Sequence, residues 1–252
     1  MLRRQLLASL LIPGMPAIGL AQARRLRMVR SAWPPYVYME GERGVGLDVE
    51  LIEAVLRRIG YQLELVPETP RRRRPQMMAA GELDLVPAAS VPEHAQEQAW
   101  FTSTYRHELI GLMSLEAQRE QFATLQAFSD LITRRIPVLV PKFRTGGELD
   151  GLIERLRPAG LAEPYDSAKR GLAMLQRGRA SLIIGDIPTL IHIGRLEGTP
   201  VTRTPLPEQR LPVSLMLSRK TVSADLLAQI NASLAALEAD GTLPAIRKRY
   251  GF

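Results

Sequence analysis

The chain has 252 residues, of which 46% are hydrophobic and 23% charged, and its formal charge is +7 with no cysteine. That length allows one large domain or two of about 100 residues, each with a real core, and the composition excludes a disordered chain. The missing cysteine removes disulfides, thiolate nucleophiles, cysteine metal sites and a lipid anchor on cysteine.

Residues 1–23 read as a secretion leader. Arg3 and Arg4 precede an apolar run from Leu6 to Leu20, and Ala21-Gln22-Ala23 is a small-residue cleavage site. Pro13, Gly14 and Pro16 interrupt the run well short of a membrane span. Removing Arg3 and Arg4 takes the 33 basic residues to 31 against 26 acids, or +5. With aromatics at 5% and no zinc or helix-turn-helix pattern, this charge reads as solvated surface and no nucleic-acid partner is expected.

The mature chain opens with a strand–helix–strand unit. Met28 to Ala32 reads as a strand, broken by Trp33-Pro34-Pro35-Tyr36. Gly44 and Gly46 precede a helix from Leu47 to Leu56, Gly60 ends it, and Tyr61 to Val66 alternates as a second strand. Such a unit is right-handed and sets its loops beside a ligand crevice. Arg71 to Arg74 follow Pro70, a helix body spans Gln76 to Ala80, and Leu83 to Ala89 is a buried strand running into Ser90-Val91-Pro92-Glu93-His94. After Trp100 to Tyr105, Leu109 to Leu115 reads as a first crossing between lobes.

The second half begins with an expected amphipathic helix from Phe122 to Ile132 and a strand at Val138 to Val140. A glycine-bearing loop with Arg144 and Thr145 leads into a helix from Glu148, whose backbone donors suit a carboxylate or phosphate. Asp166 or Ser167 caps a helix over 168–176, and Ser181 to Gly185 is a buried strand ending in Asp186. Pro200 to Pro212 reads as turns, Leu211 to Ser218 as the return crossing, and Asn231 to Leu237 as a helix of the tail.

W-P-P-Y, G-x-G-L-D-V-E-L, G-Y-Q-L-E-L, P-x-x-R and G-E-L-D, in this order, resemble the family 3 extracellular solute-binding proteins, periplasmic receptors of amino-acid ABC transporters. Y-D-S…G-R-A-S-L-I-I-G-D-I-P and the closing N-x-x-L…D-G-T-L…K-x-Y extend the likeness over residues 24–252. The resemblance implies an α/β, two-lobed periplasmic-binding-protein fold of type II, with lobe 1 at 24–112 and 213–252 and lobe 2 at 113–212. It implies a soluble monomer that closes around a small solute and delivers it to a membrane ABC permease, without cofactor. An enzyme on the same scaffold, similar to cyclohexadienyl dehydratase, and a sensory module are the alternatives.

Carried over by motif, Asp186 matches the acid that binds a ligand ammonium, Trp33 an aromatic against its side chain, and Thr145 a loop hydroxyl. The carboxylate clamp departs from the family pattern: Ser90 and His94 stand where a T-x-x-R element is usual, Arg71 replaces an aromatic, and only Pro70 and Arg73 fit the P-W-x-R variant. Arg144 and Arg30 replace a small residue and an acid. Arginines at three pocket-matching positions favour an anionic ligand, because like charges in a closed cleft need counter-ions. His94, His107 and His192 lack ligand spacing and no P-loop occurs, so neither metal nor nucleotide is expected.

Overall fold

A computed structural model describes residues 24–91, 99–142 and 146–251. The expected leader, and with it His94, Arg144 and Thr145, lies outside the described residues. The first half contains β1 (Arg24–Val29), the hairpin β2 (Tyr38–Glu40) and β3 (Arg43–Val45), α1 (Leu47–Arg58), β4 (Tyr61–Val66), α2 (Arg74–Ala80), β5 (Leu85–Ala89), β6 (Ala99–Phe101) and β7 (Arg106–Leu115). The second contains α3 (Arg119–Phe122), α4 (Ser129–Thr133), β8 (Val138–Pro141), α5 (Gly147–Leu156), β9 (Ala162–Tyr165), α6 (Ala168–Gln176), β10 (Leu182–Asp186), α7 (Ile187–Leu196) and β11 (Val201–Arg203). β12 (Gln209–Ser218), α8 (Ala224–Ala239) and α9 (Thr242–Arg249) close the chain.

Hydrophobic periodicity accounts for most of these elements. α1 buries Leu47, Leu51, Ile52, Val55 and Leu56 on one face, with Asp48 and Glu50 in its first turn and Arg57 and Arg58 in its last, as the helix dipole favours. Ser167 and Ser223 cap α6 and α8 by accepting from Arg170 N and Leu226 N.

Three local expectations change. The first strand starts earlier, at Arg24, pairing β4 in parallel from Arg24↔Tyr61 to Val29↔Val66. The helix expected over 122–132 is two short helices, because Asp130 Oδ2 accepts from Gln126 N (2.8 Å) and Ala127 N (3.2 Å) and begins a new helix there. The proline-rich stretch 200–212 carries β11 and the start of β12, its Pro205 and Pro207 falling in the connection between them.

Among the described residues ten strands join in one sheet, ordered β4-β1-β5-β12-β7-β10-β8-β9, with β6 on β12 and β11 on β7. The sheet serves two lobes with separate cores. The first core gathers Leu26, Met28, Leu47 and Ile52 with Val213, Leu215, Ile230 and Ile246. The second lobe has a core on each face of its sheet, one around Ile110, Val138, Leu149 and Ile184, the other around Leu109, Leu139, Leu172 and Ile187. β7 and β12 link the lobes as an antiparallel ribbon, pairing from Arg106↔Val213 to Ile110↔Gln209. Beyond it Gly111 to Met113 pair with β10, while Ser214 to Ser218 pair with β5 and β6.

Candidate functional site

The loop after β1 is built to place two aromatic rings at the seam. Trp33 and Val37 form a bridge, Trp33 N donating to Val37 O (2.8 Å) and Val37 N to Trp33 O (3.0 Å) around a cis Pro34-Pro35 peptide. The loop then docks on the start of α1: Leu47 N donates to Pro35 O (2.9 Å) and Asp48 N to Tyr36 O (3.0 Å). These carbonyls satisfy backbone donors that a helix start leaves open. Gly46 permits the contact, having φ +121° and lying so that a Cβ would meet Tyr36 O at 2.3 Å.

Tyr36 is fully buried, its ring 4.6 Å from that of Trp33. Its hydroxyl donates to Asp186 Oδ2 at 2.8 Å, across the gap between the lobes. Asp186 ends β10 and its other oxygen caps α7, accepting from Thr189 N at 2.9 Å. Burial raises the Asp186 carboxyl above its ordinary range, although hydrogen bonds from Thr189 and Tyr36 pull the other way. Tyr38 and His192 make a second contact across the seam, ring to ring at 5.7 Å.

Beneath the rings lies an ion pair taken wholly out of water. Arg106 and Asp48 have side chains 0% exposed and bond through both nitrogens, Nε to Oδ1 at 2.6 Å and Nη2 to Oδ2 at 3.0 Å. The guanidinium lies 4.0 Å from the Tyr36 ring centre and 5.6 Å from that of Trp33. Arg106 Nη1 is buried without a hydrogen-bond partner. Two residues along β7, Glu108 is partly buried, and burial pushes its carboxyl up to about 6, with Asp186 and Asp48 adding to the rise and Arg106 and Arg71 opposing it.

Of the residues expected from sequence, the structure sets Arg71 against Trp33, and Asp186 reaches the same loop only through the Tyr36 hydroxyl. Arg71 is exposed in a 3-10 turn (Arg71–Arg73), its guanidinium 5.7 Å from the Trp33 ring. Trp33, Arg71, Ser31, Glu68 and Arg74 line a hollow of about 340 Å³. Arg73 is exposed in the same turn, and Ser90 is exposed beyond the end of β5, outside the residues lining that hollow. Arg30 has a buried Nε without a partner. The start of α5 is not open as expected: with its amide oriented to satisfy both ends, Gln209 donates to Gly146 O (3.0 Å) and accepts from Glu148 N (2.6 Å). Among the described residues no group of three acids, histidines or cysteines is placed to hold a metal.

Tyr36, Asp48, Arg106 and Glu108 were missed by sequence reasoning. The signal was available in part: Arg106 and Glu108 sit at alternate positions on a strand that carries no charge from Leu109 onward, so both charges share one face.

A two-lobed α/β receptor with an acid and an aromatic at its seam is the class that these features define. The model of the bacterial extracellular solute-binding proteins, family 3, matches residues 27–252, and the chain belongs to that family. Among solved structures it is similar to the second substrate-binding domain of a putative amino acid ABC transporter from Streptococcus pneumoniae (20% identity, 90% of this chain and 99% of that one covered, TM-score 0.68). An amino acid ABC transporter substrate-binding protein from the same organism, bound to L-arginine, is similar at 16% identity over 90% and 93% with a TM-score of 0.67. So is the ancestral amino-acid-binding protein AncCDT-1, a precursor of cyclohexadienyl dehydratase, at 16% identity over 90% and 94% with a TM-score of 0.65. No curated protein sequence matches the chain. Among the described residues no helix is long and apolar enough to cross a membrane.

Proposed function

We propose that this protein is an exported receptor for a small amino-acid-type solute, which it encloses between its lobes and passes to an ABC permease. The observation that carries the reading is Asp186, a carboxylate at the seam held by Tyr36 from the opposite lobe, whose ring in turn stands against Trp33. A zwitterion leaving water needs partners of both signs. Asp186 takes the ammonium, and Arg71, with Arg144 and Thr145 from the loop before α5, takes the carboxylate. Ser90, Arg73 and His94 keep the candidate roles that their motif positions give them.

The anionic ligand expected from the arginines gives way here to a zwitterionic one. Arg106 is neutralised by Asp48, Arg71 is exposed, and two further carboxyls, Asp186 and Glu108, stand at the seam. Lobe 1 comprises 24–112 with 213–252 and lobe 2 the span between; packing favours drawing the first boundary nearer Glu108, since Leu109 and Ile110 already belong to second-lobe cores.

Calorimetric titration with L-arginine, L-glutamine and L-glutamate tests the reading. Saturable one-to-one binding of at least one, lost by about tenfold or more in Asp186→Asn, is expected for a charge-assisted contact. Binding of none of them overturns the reading. As a binding protein rather than an enzyme, it forms no aromatic product from prephenate.

A further inference from the structure

We propose that Glu108 is a second cation-binding carboxyl of the cleft, so that the preferred solute carries positive charge on its side chain as well as on its α-amino group. The inference rests on the amino-acid-receptor reading above and deepens it.

Position is the first argument. On one face of β7 stand Arg106, Glu108 and Ile110. Arg106 packs against Tyr36 and Trp33 of the first lobe, and Ile110 belongs to a core of the second. Glu108 lies between them, at the seam. Asp186 is paired with Ile110 across β7 and β10, which makes it the diagonal neighbour of Glu108 on the same face, at a backbone spacing of about 7–8 Å.

Charge balance is the second argument. The groups acting on Glu108 are Arg106 on its own strand, Asp186 from β10, Asp48 from α1 and Arg71 from the turn after β4. On β12 the same-face neighbours Gln209, Leu211 and Val213 carry no charge. Arg106 is already bound through two nitrogens to Asp48, and Arg71 is exposed and beside Trp33. Among the described residues Glu108 has no hydrogen-bond or ion-pair partner of its own. Two neighbouring carboxyls with one neutralised and one distant cation leave a site short of positive charge. The α-ammonium answers Asp186, and a second cation answers Glu108.

The same geometry couples binding to pH. With its carboxyl raised to about 6 by burial, Glu108 is charged above that value and neutral below it. In the ligand-free protein the raised value favours the folded state below about 4.5, and this contribution is lost as pH rises through about 6. Binding of a side-chain cation runs the opposite way, being strong above 6 and lost on acidification.

The test compares L-arginine with L-citrulline, whose ureido group has the same length and no charge, by calorimetry at pH 8 and pH 5. Asp186 meets the α-ammonium of both, so its titration cancels in the ratio of their affinities. The expected preference for arginine is about tenfold or more at pH 8, shrinking severalfold at pH 5, and absent at pH 8 in Glu108→Gln. Should that variant not fold, the wild-type pH profile decides alone. An arginine preference that is missing at pH 8, unchanged at pH 5, or retained in the folded variant overturns the role of Glu108 and leaves the receptor reading intact. Failure of arginine, citrulline, glutamine and glutamate to bind at either pH overturns the receptor reading, and this inference with it.

Discussion

Arg106 and Asp48 show how a charged pair buried out of water can support the aromatic rings at the seam. Desolvation costs each ion several kcal/mol, which two good hydrogen bonds and the Tyr36, Trp33 and Tyr105 rings offset. Removing one member leaves the other buried and unpaired, so Arg106→Met is expected to destabilise the fold by about 3–5 kcal/mol, while Arg106→Met with Asp48→Leu should be much milder. Urea denaturation of the single and double variants checks this; equal losses would mean that the arginine acts alone. Asp48 was legible in the sequence as a member of G-x-G-L-D-V-E-L, but its partner was not, because a contact spanning residues 48 to 106 leaves no local pattern. Asp186 was legible through its motif match and its place at a strand end; in the structure its Oδ1 also caps α7 while Oδ2 faces the seam.

At the scale of elements, the loop from Trp33 to Tyr36 and the start of α1 behave as one unit joined at Gly46. Neither half fixes the rings alone. Gly46→Ala places a Cβ 2.3 Å from Tyr36 O at φ +121°, so loop or helix has to move; a loss of about 1–3 kcal/mol is expected, with solute affinity falling as Tyr36 shifts. Thermal unfolding and titration of this variant read both effects. The elements that sequence placed best, α1, β4 and β10, have strong apolar periodicity and clear glycine or capping signals. Those it placed worst are set by contacts out of its reach. The break between α3 and α4 comes from the Asp130 side chain, and β11 exists because Val201 to Arg203 find an edge on β7.

At the scale of the whole molecule, the described residues that meet across the seam include Tyr38 on His192 and the Tyr36 hydroxyl on Asp186, the latter engaging a candidate site residue. A single hydrogen bond of this kind is worth roughly 0.5–1.5 kcal/mol net, enough to shift the lobe closure proposed above severalfold. Tyr36→Phe is therefore expected to enlarge the ligand-free protein in small-angle scattering while leaving the liganded form unchanged. An identical ligand-free profile would show that the contact does not hold the lobes together.

The interleaved first core has a consequence for the order in which the protein can be made. Leu26, Met28 and Ile52 meet Ile230, Leu234 and Ile246 there, whereas the second-lobe cores draw on one contiguous stretch, Leu109 to Leu206. A polypeptide emerging from its amino end can finish the middle portion early, yet its opening βαβ unit stays half-covered until the final helices arrive. On the export route proposed above, machinery that threads unfolded polypeptide would meet a beginning that has not yet locked, because what locks it is the last part to be synthesised.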